Sequence, residues 1–463
     1  MGTSHSIVVQ PFELVSVMNY GAHADGVTDD SDHVHTGMVD AISEGKVLFF
    51  PPGTYLLNTK LTMHDGASFA GVGDASILKG TVNPTSNNIV ESLKFELGET
   101  TPSNEKYFGA SDAYSDGAVS HLYVLNCTFS GHYAWDSGEG RQIQLGNIPV
   151  SYVLFDSCTF LQSTYNKNNQ IRIWSDCDAT DCYMHHIAIR NCHFDYTSRM
   201  NLEITGANSS CAYPWHDIIV DNCTFDGAGN QNISIVGYGC HDITITDNVL
   251  LDANVNPILN QGEASLELGN FTNLILTGNH VGQTAEGTTT GSHVKFMLGQ
   301  WIPDTEAIVN NNWIENNIFD GRLSTSSQIW LKGSGWTFKD NTVYTCSSYG
   351  SYIMHGDDQT IQGNSFYAWD VATQNIDVDN YAVNVQNTDG ADWTENHFYS
   401  KESGTPVRLH YTCPNGDEPN GPSINNTFTD CTFHRKSTAV NVKADTSTPP
   451  SSFTESGSTV VEI

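Results

Sequence analysis

A chain of 463 residues with 52 acidic and 19 basic side chains carries a formal charge of −33 at pH 7. So large an acidic excess excludes nucleic acid and anionic membrane surfaces as partners, and no stretch reaches the about eighteen consecutive apolar residues of a membrane-spanning helix. The 38% hydrophobic content and 40 glycines are ample for a large core with many turns.

Residues 1–18 read as a lead-in segment that ends in the apolar run FELVSVM and lacks the charged-then-apolar pattern of a secretory signal. Asn19 to Asp30 (NYGAHADGVTDD) precede a helical pattern with Val34, Met38, Ala41 and Ile42 on one side, and Asp29, Asp30 or Ser31 is available as N-cap. KVLFFPPGTYLL, from Lys46 to Leu57, then reads as strand, turn and strand. LTMHDGASFAGVGD and ASILKG continue in short strands, so residues 19–80 form one N-terminal unit. Residues 81–118 are polar and rich in Asn and Ser, which predicts an insertion or long loop.

From there one unit recurs, clearest from His216 to Val236. A strand ends in Asn-Cys-Thr-Phe, a Gly/Asn turn follows, and a second strand alternates apolar and polar residues. Anchors fall at Asn126, Ser157, Asn191, Asn222, Asn248, Asn279, Asn316, Asn341, Asn364, Asn396 and Asp430, spaced by 23 to 37 residues. A period of that size means a solenoid, propeller or array; residues 119–445 thus hold about eleven coils. Asn126 and Asn222 are expected at inner stacking positions. Residues 446–463 are a Ser/Thr/Pro-rich tail with a candidate last strand from Thr459.

In the second strands the inward pairs run from Ile143/Leu145 to Val440/Val442. Between them an outward column reads Gln144, Arg172, Glu203, Ser234, Glu267, Lys295, Trp330, Met354, Asn384, Arg408, Asn441. The column before it includes Gln142, Gln170, Asn201, Asn232, Ser265, His293, Gln328 and Tyr352. An amide-lined face with interspersed aromatics suits an extended sugar chain. Amide ladders and cross-strand ion pairs, Arg172 with Glu203 and Glu267 with Lys295, would equally serve to hold any solenoid together.

The order YGAHADGVTDD, amphipathic helix, KVLFFPPGTYLL, GASFAGVGD resembles the start of the pectate-lyase-like superfamily of right-handed parallel β-helices, among them polygalacturonase relatives and viral tailspike depolymerases. The resemblance implies an all-β, right-handed parallel β-helix, a single-stranded β-solenoid with an N-terminal capping α-helix, residues 19–80 being the cap and first coils. It further implies a polysaccharide partner, a homotrimer, an extracellular or virion-surface location and contacts with other virion tail components. The superfamily's hydrolase set Asn-Thr-Asp, Asp-Asp, Gly-His-Gly, Arg-Ile-Lys has no ordered counterpart here, and the lyase motif Trp-Ile-Asp-His is absent. No catalytic residue carries over.

The chemistry must then come from geometry. Inverting glycoside hydrolysis uses two carboxyls roughly 6.5–9.5 Å apart. Glu203 and Glu267, two rungs apart at about 4.8 Å per rung, are the leading pair, one as acid and one as base. Arg172 and Lys295 would flank them. A lyase would use His293, Lys295 or Tyr352 as base and Arg172 or Lys295 against a uronate carboxylate. Asn201, Asn232, Ser234, Trp330, Tyr352, Trp174 and Trp135 complete the expected substrate contacts. A non-catalytic glycan-recognising or structural spike or adhesin is the competing reading. No cofactor is required.

Of the eleven cysteines, Cys127, Cys158, Cys192, Cys223 and Cys431 share one repeat position, which predicts a stack of buried thiols. Cys177, Cys182, Cys211, Cys240, Cys346 and Cys413 fall in turns, where disulfides can form. The stretch WSDCDATDC reads as a disulfide loop ahead of a cation site, matches no zinc or EF-hand spacing, and leaves a structural cation open, with no metal site assigned.

Overall fold

A strand that alternates apolar and polar residues can cover only one of its faces, and a run of such strands finds that cover by winding into a coil. The structure is a computed structural model, which describes residues 13–97, 108–111, 117–131, 133–134, 140–163, 168–174, 183–207, 215–237, 239–253, 265–269, 271–284, 293–298, 311–323, 326–346, 351–370, 375–376, 381–400, 405–410, 423–435, 439–444, 451 and 453–462. It is a right-handed parallel β-helix.

Each coil supplies three strands. The first face is typified by Val119–Leu125, Val150–Asp156, Met184–Arg190, His216–Asp221, Cys240–Thr246 and Phe271–Thr277, paired in parallel. The second carries the short strands Thr128–Gly131, Thr159–Phe160, His193–Phe194 and Thr224–Asp226. The third runs through fourteen strands from Leu61–Thr62 to Val442–Ala444. Eleven of them, from Gly140–Gly146 onward, fall within residues 119–445.

The interior is a set of stacks. Phe95, Phe129, Phe160, Phe194 and Phe225 lie ring over ring with centroids 5.1, 5.1, 4.5 and 4.6 Å apart. Beside them Cys127, Cys158, Cys192 and Cys223 form the expected column of free, buried thiols, joined by Cys431. Cys240 is also buried and free, inside a strand rather than a turn, and Cys346 is half-buried; Cys177, Cys182, Cys211 and Cys413 lie outside the described residues.

In the later coils the thiol position is taken by Asn248, Asn279, Asn317, Asn341, Asn364 and Asn396, all buried. Each accepts from the amide of the one above and donates to a main-chain carbonyl, as Asn341 Nδ2 does to Ile314 O at 2.9 Å. The residue just before this position makes the bend at positive φ: Asn126, Asn191 and Asn222 at 51°, 53° and 51°. Asn126 and Asn222 are therefore exposed, not inner, and Asn222 donates to Asn191 at 2.7 Å along an outside ladder. Two kinds of asparagine, one bending the chain and one bonding the core, share a letter.

Helix Ser31–Ser43 closes the N-terminal end and turns Val34, Gly37, Met38 and Ala41 inward. The buried Asp30 holds the loop before it by accepting from the main-chain N–H of His23 and Ala24 at 2.7 and 3.0 Å. Within the segment expected as an insertion, Val82–Asn83, Asn88–Leu97 and Phe108–Ser111 pair as regular strands, with Val82, Val90, Leu93, Phe95 and Phe108 in the core. Surrounding Asn and Ser masked that alternation. The tail likewise adds a rung, Phe453–Ser456 and Thr459–Val461, to the first and second faces. No helix among the described residues is long and apolar enough to cross a membrane.

Candidate functional site

Parallel pairing on the third face sets Gln144, Arg172, Glu203, Ser234 and Glu267 in one column, rung after rung. Glu203 and Glu267 are thus two rungs apart with Ser234 between them, as the alternation predicts. They do not lie on an open surface: each carboxylate residue is 4% exposed and Ser234 2%.

What encloses Glu203 is charge. Arg172 Nε lies 3.1 Å from its Oε2 and Arg199 Nη1 3.9 Å, Asn169 Nδ2 donates to the same oxygen, and Thr205 Oγ1 reaches Oε1 at 3.4 Å. The Arg172 guanidinium also sits 5.0 Å above the Trp174 ring. Glu267 accepts from neutral donors, Gln231 Nε2 at 2.8 Å and Ser234 Oγ at 2.9 Å. Asn169 and Gln231, which donate to these carboxylates, and Trp174 under the Arg172 guanidinium each also carry a buried polar atom with no hydrogen-bond partner, Asn169 Oδ1, Gln231 Oε1 and Trp174 Nε1. An unsatisfied buried polar atom costs about 1–3 kcal/mol, and further ones lie along the solenoid, among them Thr81 Oγ1, Ser163 Oγ and Ser351 Oγ.

Other expected contacts fall elsewhere. Asn201 and Asn232 face the interior: Asn201 Nδ2 donates to Gln170 Oε1 at 2.7 Å, Asn232 Nδ2 to Asn201 Oδ1 at 3.1 Å, and both are fully buried. They stitch the bend between the second and third faces, because Asn201 and Asn232 also reach the carbonyls of Asp195 and Leu251 there. Below Glu267 the column continues through Met297, Trp330 and Tyr352. Lys295 pairs in register with Gln328 and His293 with Ser326, Met297 takes the rung after Glu267, and Tyr352 joins the Trp330 column rather than that of Gln328. At the last rung Lys443, not Asn441, follows Arg408. All three differences are slips of two residues, which keep the parity of the strand and so are invisible to hydrophobic alternation; the last one leaves Val440, expected inward, exposed, with Val442 and Ala444 in the inward places. The side chains of His293, Lys295 and Tyr352, and all of Trp135, lie outside the described residues.

A concavity of about 530 Å³ lies on the first face, lined by Ile275 and Trp313 and edged by Asp217, Asp242, Asn273 and Asn311. The rim residues all sit at positive φ, between 55° and 59°, and are linked by Asn273 to Asp242 at 2.9 Å and Asn311 to Asn273 at 2.8 Å. Sequence reasoning missed them. Their signal is a His, Tyr, Asp or Asn placed directly before the inward residues Leu122, Val153, Ile187, Ile218, Ile243 and Leu274 of the first-face strands, from His121 to Asn273.

A family model described as rhamnogalacturonase A/epimerase, pectate lyase-like, matches residues 14–255. Over 66 residues, 14% of this chain, the sequence is 30% identical to the non-secreted LysM effector LysM19 of Penicillium expansum, of which the match spans 5%. Among solved structures, the A-module of mannuronan C-5 epimerase AlgE6 of Azotobacter vinelandii is 12% identical, covering 96% of this chain and 99% of that one with a TM-score of 0.40. Gene product 12 of bacteriophage phi29 is 12% identical, covering 97% and 56%, with a TM-score of 0.49. The tailspike protein of E. coli bacteriophage HK620 is 10% identical, covering 96% and 77%, with a TM-score of 0.48. These likenesses carry no activity across to this chain.

Proposed function

The chain belongs to the rhamnogalacturonase A/epimerase, pectate lyase-like family, and from that premise we propose that it binds a surface or extracellular polysaccharide and hydrolyses it with Glu203 and Glu267. The observation that carries this reading is the pair of buried carboxylates two rungs apart in one column, each accepting from a side-chain amide, Asn169 on Glu203 and Gln231 on Glu267. Two rungs correspond to about 9.6 Å, the wide end of the spacing that admits a water between acid and base. One of the two would act as general acid and the other as general base; Glu203 stands beside Arg172 and Arg199, and Glu267 accepts from Gln231 and Ser234. Ser234 lies on the intervening rung, where that water would stand.

The ion pairs on Glu203 favour a second reading, a non-catalytic glycan-recognising spike or adhesin in which those pairs only brace the wall. A lyase would turn the same arginines toward a uronate. Capsular and cell-wall polysaccharides incubated with the protein separate the three: new reducing ends mark hydrolysis, ultraviolet absorbance of an unsaturated product marks elimination, and retained binding with neither product marks an adhesin. Under the hydrolase reading Glu203→Gln and Glu267→Gln each lower cleavage at least about a hundredfold while glycan binding persists; unchanged cleavage in either refutes the assignment. Assembly as a homotrimer on a virion belongs to the same proposal, and a sedimentation mass of one 50.6 kDa chain would refute that part of it.

A further inference from the structure

The first face carries a histidine-rich cluster that takes no part in the third-face column. His185 and His186 come from Met184–Arg190, His216 and Asp217 from the next strand, His241 and Asp242 from the one after. Pairing places His185, His216 and His241 in one column, and their rings stack almost parallel with centroids 5.1 and 5.0 Å apart. His186 and Asp217 stand beside that column at φ 54° and 55°. As a result His186 Nε2 lies 3.6 Å, and His216 Nδ1 2.7 Å, from Asp217 Oδ2. One ligand atom from each of His186, His216 and Asp217 falls within 4.8 Å of the others.

Two imidazoles and a carboxylate are the donor set of a borderline divalent cation, with room for water as a fourth ligand. Two details fit that use. His185 Nδ1 lies 2.7 Å from His186 Nδ1, so one of the two nitrogens carries the shared hydrogen. With it on His186, that ring donates to His185 and keeps the lone pair of Nε2 facing Asp217, the arrangement by which an outer partner aims a metal-binding histidine. The second detail is the position now held by the hydrogen between His216 Nδ1 and Asp217 Oδ2. A cation can take that position while the His216 ring remains neutral with its hydrogen on Nε2. The three side chains are 44%, 32% and 43% exposed, so a cation reaches them directly from solvent.

We propose that His186, His216 and Asp217 bind a divalent transition cation of the zinc class and so tie two consecutive coils together on the outside of the solenoid. Calorimetric titration of the whole, chelator-treated protein with zinc chloride tests it. Saturable binding is expected, and the double variant His216→Gln with Asp217→Asn weakens it at least about tenfold, the usual loss when a ligand set is broken. His185→Phe keeps all three ligands and removes only the acceptor behind His186, so it weakens binding by a smaller factor. Thermal melting in chelator shows whether each variant keeps its fold, and His186→Gln serves if the double variant does not. The proposal is overturned if the unaltered protein shows no saturable zinc binding, or if the ligand variants titrate as it does.

Discussion

Replacing Asn341 by alanine tests whether the inner asparagine column bears load. Its Oδ1 accepts from the main-chain N–H and the Nδ2 of Asn317 at 2.9 and 3.0 Å, and its Nδ2 donates to Ile314 O and Asn364 Oδ1 at 2.9 and 3.1 Å. The main-chain N–H of Asn341 keeps its own bond to Asn364 Oδ1 at 2.8 Å in any variant. Two buried main-chain groups, Asn317 N–H and Ile314 C=O, therefore lose their side-chain partner. At about 1–3 kcal/mol per stranded group, Asn341→Ala costs about 4 kcal/mol. Cysteine, which holds the same position in the coils of Cys127 to Cys223, offers a weak donor and a weak acceptor at once, so Asn341→Cys costs about half as much. Because each coil contacts only its neighbours, the loss is local. Native-state hydrogen exchange should accelerate at Asn317, with little change in coils far away, and the urea midpoint should fall in the order Asn, Cys, Ala. Unaltered exchange at Asn317 in the alanine variant, or a cysteine variant no better than alanine, refutes the reasoning.

Burial pushes the thiols of Cys127 and Cys240 up to about 12 and that of Cys431 to about 11, so iodoacetamide at pH 8 is expected to label none of them until denaturant is added; mass spectrometry of native digests checks this. The lowered pKa of His185 gives a pH effect of defined sign. Between the ordinary histidine value of 6.5 and its lower folded value, the unfolded chain binds a proton that the native state refuses. Stability therefore falls as pH drops through that window, and His185→Phe should flatten the difference in urea midpoint between pH 5.5 and 7.5; an unchanged difference counts against it. Asp30→Ala strands the N–H groups of His23 and Ala24 and should lower stability by about 2–4 kcal/mol, read as a loss in melting temperature larger than that of an exposed substitution such as Glu44→Ala.

The period of the repeat, its alternation and the N-terminal motif were enough for the fold, because all three are local and recur. Register along the third face was legible only as far as Glu267. Beyond it, turns of varying length let the strands slip by two residues, and a slip of two changes which outward residues meet while keeping the parity of the strand, at the last rung at the expense of Val440, which is left exposed. The same logic explains Asn201 and Asn232. Parity assigns them outward, but they stand where the chain turns from the second face to the third, and at a bend an odd residue can still point inward. Burial of the Glu203 column was not legible either, since alternation gives the face of a strand and not what stands over it.

Whether Glu203 is catalytic or merely bracing is decided by comparing it with Arg172. The two make an ion pair in which the Glu203 side chain is 6% and the Arg172 side chain 22% exposed. Removing one partner of a buried pair leaves an uncompensated charge and costs about 3–5 kcal/mol; Arg199 remains near Glu203 and Arg172 is partly solvated, so about 1–2 kcal/mol is the expected loss for Arg172→Ala. A bracing pair predicts that Glu203→Gln and Arg172→Ala each destabilise the coil, that the double variant costs less than their sum, and that glycan turnover follows folded protein in all three. A catalytic Glu203 predicts that turnover is lost in Glu203→Gln at full occupancy of the folded state, whereas Arg172→Ala retains part of it. Equal residual turnover per folded molecule in the two single variants would leave Glu203 as part of the wall.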